Sequence, residues 1–163
     1  MLGARTSAFS LSNARPIDTE ADENRQWLPK LQGNIASGHE RDHGYLISFE
    51  LPAEETAAQG VVVDLKDLIT DADRQARESR RYRRSKITGN SFASLLLSAN
   101  GYRRLGFAKQ LNCAFAPPDS AKDFLEGMNR NSVAMFDDPP LAQRENGYRE
   151  GGIDALLLVA DDD

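Results

Sequence analysis

The sequence predicts an α+β fold, and three observations carry that expectation. Strand-like segments occur at 45–51, 92–98 and 153–160. A long helical stripe lies between the first two. The chain has 163 residues, 40% hydrophobic and 28% charged, which suffices for one modest core. In the first segment Tyr45, Ile47, Phe49 and Leu51 fall on one face and Leu46, Ser48 and Glu50 on the other, the period-two alternation of a strand. Pro52 ends it, because proline has no amide hydrogen for a ladder, and can open the next helix.

That helix is expected over 53–69, where Ala58, Val61, Val62, Leu65, Leu68 and Ile69 recur at helical spacing. Gly60 weakens its first turns by about 1 kcal/mol relative to alanine. Earlier, 24–35 reads as a short helix with Trp27, Leu28 and Leu31 on one face, closed by Gly33 and Asn34. Residues 36–44 read as a turn. Residues 70–91 are dominated by charge, as a solvated helix face or loop. The apolar run Phe92–Leu97 is the second strand, followed by a helix over 100–105 that Gly106 closes. Pro117-Pro118 makes 107–120 a loop, and Asp119 or Ser120 can cap a helix over 121–128. After an irregular stretch, 137–152, the third strand is apolar enough for burial on both faces. Such a strand needs a layer on each side. Only one long amphipathic helix is evident, so a further downstream part is expected after Asp161-Asp162-Asp163.

Composition limits the chemistry. The formal net charge is −5, which gives no overall attraction to nucleic acid or an anionic membrane. Cys113 is the sole cysteine, so an internal disulfide and a thiol-rich metal site are excluded. The longest apolar run, Ala155–Ala160, is far too short to span a bilayer. The first 17 residues hold Arg5 and Arg15 and no acid, faintly like a transit peptide, yet lack a secretory apolar core; a disordered tail over 1–22 and a cytoplasmic protein are expected.

Candidate chemistry is thin. His39 and His43 lie four apart, a metal-sharing spacing on a helix, but Gly38 and Gly44 favour surface histidines in a turn. Arg74, Arg77, Arg80, Arg81, Arg83, Arg84 and Lys86 form a basic cluster that could face an anion, although Asp71, Asp73 and Glu78 in or beside it favour a solvated face. Asp137-Asp138 and the terminal acids could hold a hard cation or do acid–base work, and read more simply as solvated turns. Gly151-Gly152-Ile153-Asp154 has the form Gly-x-x-Asp, but Ala155 follows and Asp154 enters an apolar strand, so it reads as strand.

Several segments, in order, resemble those of the dye-decolorizing (DyP-type) haem peroxidases. They are Leu31-Gln32-Gly33-Asn34-Ile35 with Gly38-His39 and Arg41-Asp42-His43; Ser98-Ala99-Asn100-Gly101-Tyr102-Arg103-Arg104-Leu105-Gly106, like a Gly-Tyr-x-x-Leu-Gly segment after a strand; Phe124-Leu125-Glu126-Gly127-Met128; and Asp137-Asp138-Pro139, with Asp137 where glycine is common. The last is Ile153 to Asp163, in which Asp154 stands where the family usually carries histidine. The usual tryptophan after the Asp-Pro turn is replaced by the neighbourhood of Gln143-Arg144-Glu145.

The resemblance covers about 24–163 and implies an incomplete ferredoxin-like half of a DyP-type dimeric α+β barrel-like fold, with 1–22 as a tail and 23–163 as an N-terminal domain truncated at its C-terminal end. In the β-α-β-β-α-β order, 45–51, 53–69, 92–98 and 153–160 supply the first four elements. A bare sheet face and an open strand edge should follow, with aggregation or pairing as the consequence. The intact family binds haem b and uses hydrogen peroxide to oxidise dyes and other organic donors. Its proximal histidine, distal arginine and Gly-x-x-Asp-Gly aspartate normally lie beyond the acidic strand end. Accordingly no catalytic, cofactor-binding or metal residue is carried over to this chain, and none of the haem is expected to bind it alone. Its expected partners are a separate C-terminal half or a second copy, without nucleic acid or membrane. The alternative is a non-enzymatic pairing module.

Overall fold

The computed structural model describes residues 17–39, 41–114, 124–127, 137–145, 148–149 and 152–162. They form two compact units, one made of residues up to 40 with 70–90, the other of 41–69 with 91–163. The expected tail, 1–22, falls mostly outside the described residues. Within 17–22, the Asp18 carboxylate accepts the Glu20 amide and the Asp18 carbonyl accepts Asn24 Nδ2.

The first unit is built on helix α2, Ala72–Ser85, in the stretch read from sequence as a solvated helix face or loop. Asp71 caps it by accepting the Arg74 amide at 2.7 Å, and Lys86 closes it in a left-handed conformation. Its buried residues are Ala72, Gln75 and Ala76. The helix expected over 24–35 is reduced to a 3-10 turn, Leu28–Lys30. The reason is Pro29, which disfavours helical backbone at the residue before it and removes a donor. Leu28, only 1% exposed, is the residue this turn buries. Leu31 is extended, and the chain pairs with the start of α2: Ala72 N–H donates to the Leu31 carbonyl and Gly33 N–H to that of Thr70. Gln75, 5% exposed, completes the join. Its Oε1 accepts the Asn34 amide, and its Nε2 donates to the Ser37 and Gly38 carbonyls. A buried amide must be saturated in this way or cost the fold its desolvation.

The second unit carries a three-stranded antiparallel sheet in the order β1-β3-β2: β1 is His43–Phe49, β2 Phe92–Leu97 and β3 Ala155–Asp161. Tyr45 stands opposite Val159, and Val159 opposite Ala93, so β1 and β2 run parallel with β3 between them. This is the split β-α-β core of a ferredoxin-like half, and the α+β class holds. Strand β1 begins two residues earlier than expected, taking His43 and Gly44 out of the anticipated turn. Leu51 falls outside it and is buried instead beneath α1, Glu55–Leu65, with Ala58 and Leu105; Phe49, Val61, Val62 and Leu97 pack around them. Helix α1 is shorter than 53–69, and Leu68, placed on the apolar stripe, is 57% exposed.

Helix α3, Ala99–Arg104, matches expectation to within a residue and ends at Gly106, whose φ is +85°. The loop expected over 107–120 begins instead with helix α4, Ala108–Ala114, before the two prolines. Of the helix expected over 121–128, residues 124–126 are helical and most of the rest lies outside the described residues. Asp137 has φ +55°, which explains why glycine suits that position; aspartate is among the residues that tolerate it.

Every residue of β3 is buried or half-buried, as a central strand requires. The exposure expected for the sheet is concentrated on β1. Tyr45, Leu46 and Ile47 are 74%, 67% and 50% exposed, on both faces of the strand. By contrast Phe92 to Leu95 in β2 are buried.

Candidate functional site

The most elaborate polar arrangement centres on Asp154, at the entrance to β3 and 1% exposed. Its Oδ2 accepts the Leu51 amide at 2.9 Å, and its Oδ1 accepts Asn100 Nδ2. Arg104 Nε stands 3.5 Å from Oδ2. The backbone of Asp154 is used as fully. Its amide donates to the Phe49 carbonyl, and its carbonyl accepts the Ser98 amide and hydroxyl. Ser98 Oγ in turn accepts the Gly101 amide, capping α3. One residue thus ties the end of β1, the first turn of α3 and the start of β3. A buried carboxylate is tolerable only when paired and hydrogen-bonded, and this one is. Its geometry serves cohesion of the sheet end.

The far end of β3 is also acidic and also tied down. Arg41 Nη1 and Asp162 Oδ2 are 2.9 Å apart, with side chains 10% and 17% exposed. Ser91 Oγ donates to Asp161 Oδ2 at 2.5 Å. That bond above all, with the Asp162 amide and Arg41 adding to it, holds the Asp161 carboxyl below its ordinary range. A carboxyl with a depressed folded pKa contributes stability that is complete above the unfolded value, ~3.9, and is lost as pH falls through the folded value. Ser91→Ala should therefore raise the Asp161 pKa toward the unfolded value, read by carbon-detected NMR titration. An unchanged titration would show that the hydroxyl does not hold this carboxylate.

The histidines do not meet the demands of a haem ligand. His43 opens β1 as an exposed residue facing Asp161 across the ladder, and His39 is half-buried in the segment after the 3-10 turn. An imidazole that would hold haem iron needs beside it a cavity that takes a porphyrin. A shallow cleft of about 340 Å³ is present, but Thr19, Glu20, Arg25, Asp73, Arg80 and Arg84 line it, polar or charged throughout and without an imidazole. No group of three or more His, Cys, Asp or Glu side chains gathers among the described residues in a metal-holding arrangement. These residues do not fit haem, and no step of peroxide chemistry is derived from them. No described helix is long and apolar enough to cross a membrane.

Of the basic cluster, Arg74 pairs with Glu78 at 3.0 Å, Arg77 with Asp73, and Arg80 approaches Glu20 at 3.9 Å. The sequence singled out none of Ser98, Asn100 or Gln75 as site residues. A signal for the Asp154 group existed in an acid abutting an apolar strand, since such an acid must find partners if buried.

No protein-family model matches the chain, and no curated protein matches it. Solved structures do. A DyP-type peroxidase of Anabaena sp. (AnaPX) superposes with a TM-score of 0.74 and 34% sequence identity, over 91% of this chain and 31% of that one. DyP2 from Amycolatopsis sp. superposes with a TM-score of 0.68 and 27% identity, over 83% of this chain and 27% of that one. The chain therefore spans under a third of the length of the solved relatives it matches.

Proposed function

Since this chain has the fold of an N-terminal portion of the DyP-type peroxidases, we propose that it is the scaffolding part of such a peroxidase, working in the cytoplasm. The completed protein would use haem and hydrogen peroxide to oxidise dyes or other organic donors, with the iron ligand and the distal acid supplied by the rest of the fold. The contribution of this chain is the sheet, and the observation that carries the reading is strand β1. Between His43 and Phe49 there is no Lys, Arg, Asp, Glu or Pro, and the strand is exposed on both faces. Strand edges left open in soluble proteins are normally blunted by charge, proline or a bulge. An uncharged open edge instead suits pairing with a further strand.

The test is to express the chain alone and together with a chain carrying the remainder of a DyP fold. Alone, it should give no stoichiometric Soret band and no dye turnover. Together, the two should co-purify and bind haem. Ile47→Lys, at a half-exposed position, should leave the far-UV spectrum of the chain unchanged and weaken the association about tenfold or more. A stoichiometric, peroxidase-active haem complex of the chain alone would overturn the reading.

The same edge supports the second reading, a non-enzymatic module pairing with its own copy. Sedimentation velocity of the isolated chain should show dimers or larger species that Ile47→Lys reduces to monomer. A wild-type monomer at high micromolar concentration would remove self-pairing.

A further inference from the structure

We propose that the exposed side of α2 is a docking surface for an extended acidic polypeptide segment. Ala72, Gln75 and Ala76 form the buried face of this helix. Arg77, Arg80, Arg81 and Arg84 recur at spacings of three and four on the opposite side, so their guanidinium groups share one stripe. The first part of the helix's basic run is neutralised within the helix, by the pairs Arg74–Glu78 and Arg77–Asp73. The second part is not. Arg81, Arg83 and Arg84 make no ion pair among the described residues, and Arg81 and Arg84 are exposed. Arg77 with Arg81 and Arg80 with Arg84 are like charges one turn apart, an arrangement that destabilises a helix until anions come between them.

The chain itself indicates which kind of anion fits. Within the same unit, the acidic run Asp18-Thr19-Glu20-Ala21-Asp22-Glu23 reaches this stripe. Thr19 and Glu20 line a cleft together with Arg80 and Arg84, and Glu20 Oε1 stands 3.9 Å from Arg80 Nη1. That distance is too long for a hydrogen bond, and the Glu20 side chain is 69% exposed, so the contact is weak and displaceable. A segment with better-placed carboxylates would replace it, forming bidentate pairs with Arg80 and Arg84. The group the structure sets against Arg80 is a carboxylate, that of Glu20, so a carboxylate-bearing segment is the occupant whose chemistry the chain already displays, and RNA is the competitor to be tested. Residues 18–23 then act as a built-in competitor that sets the threshold for an incoming acidic segment.

Fluorescence anisotropy of fluorescein-labelled hexaglutamate against the full chain, at low ionic strength, tests this. Saturable binding is expected. It should weaken about tenfold or more in Arg80→Gln/Arg84→Gln and tighten several-fold in Glu20→Gln/Asp22→Asn/Glu23→Gln. Far-UV circular dichroism checks that both variants keep their helices. The absence of binding, indifference to the arginine changes, or tighter binding of a labelled RNA hexanucleotide would each overturn the proposal.

Discussion

Asp154→Ala is expected to lower the stability of the sheet-bearing unit by about 3–4 kcal/mol, a large fraction of what a domain of this size possesses. The carboxylate is 1% exposed, and its removal leaves the buried Leu51 amide without its acceptor and takes the partner from the half-buried Asn100 side chain. Arg104 adds little to the loss. At 3.5 Å and 32% side-chain exposure it can return to solvent. Arg104→Met leaves that carboxylate hydrogen-bonded but without its cation, so it should cost less than Asp154→Ala, and the contrast between the two variants separates hydrogen bonding from ion pairing. For a chain of this length the alanine variant should melt roughly 10 °C lower in thermal denaturation. A melting temperature within a degree or two of the parent would mean that the Asp154 junction does not hold the unit together.

Gly101→Ala should be nearly as severe, for a different reason. A Cβ on Gly101 would lie 2.2 Å from the Asp154 carbonyl oxygen and 3.1 Å from its carbon. Both are backbone atoms, so no side chain can swing aside. Either α3 or the entrance to β3 has to retreat, and the hydrogen bond from the Ser98 amide to the Asp154 carbonyl, 3.0 Å long, is lost as it does. Such overpacking costs typically up to about 3 kcal/mol, and the backbone target places this site at the upper end. Urea denaturation should show the loss, and hydrogen exchange at the Ser98 amide should accelerate. Because Gly101 and Asp154 meet directly, the double variant should lose less than the sum of the single losses. Full additivity, or parental stability in Gly101→Ala, would contradict the close approach of these two segments.

Much of the architecture was legible before any coordinates. The alternation through Tyr45–Leu51, the apolar run Phe92–Leu97 and the apolar run after Asp154 each marked a strand of the sheet. Gly106 marked the end of α3, where its φ is +85°. The resemblance of the Gly101–Gly106 and Ile153–Asp163 segments to DyP-type peroxidases agreed with the superposition on two solved members. These features share a cause. Periodicity and turn chemistry are local, and they record which residues must leave water and where the backbone must turn.

What the sequence by itself determined is thus the class of fold, the three strands and the chemistry this chain lacks a recognisable pattern for. Tertiary structure alone decided the rest. It made a helix with a buried glutamine of the charged stretch 70–91, since Gln75 is saturated by the Asn34, Ser37 and Gly38 backbone. It left β1 exposed on both faces although its composition reads as half-buried strand. It turned Asp154, an acid beside an apolar strand, into the junction of three elements, because the amide it accepts lies 103 residues away at Leu51. A buried polar atom is stable only with its partner in place, and that partner is chosen by how the chain folds back on itself, which no window of neighbouring residues records.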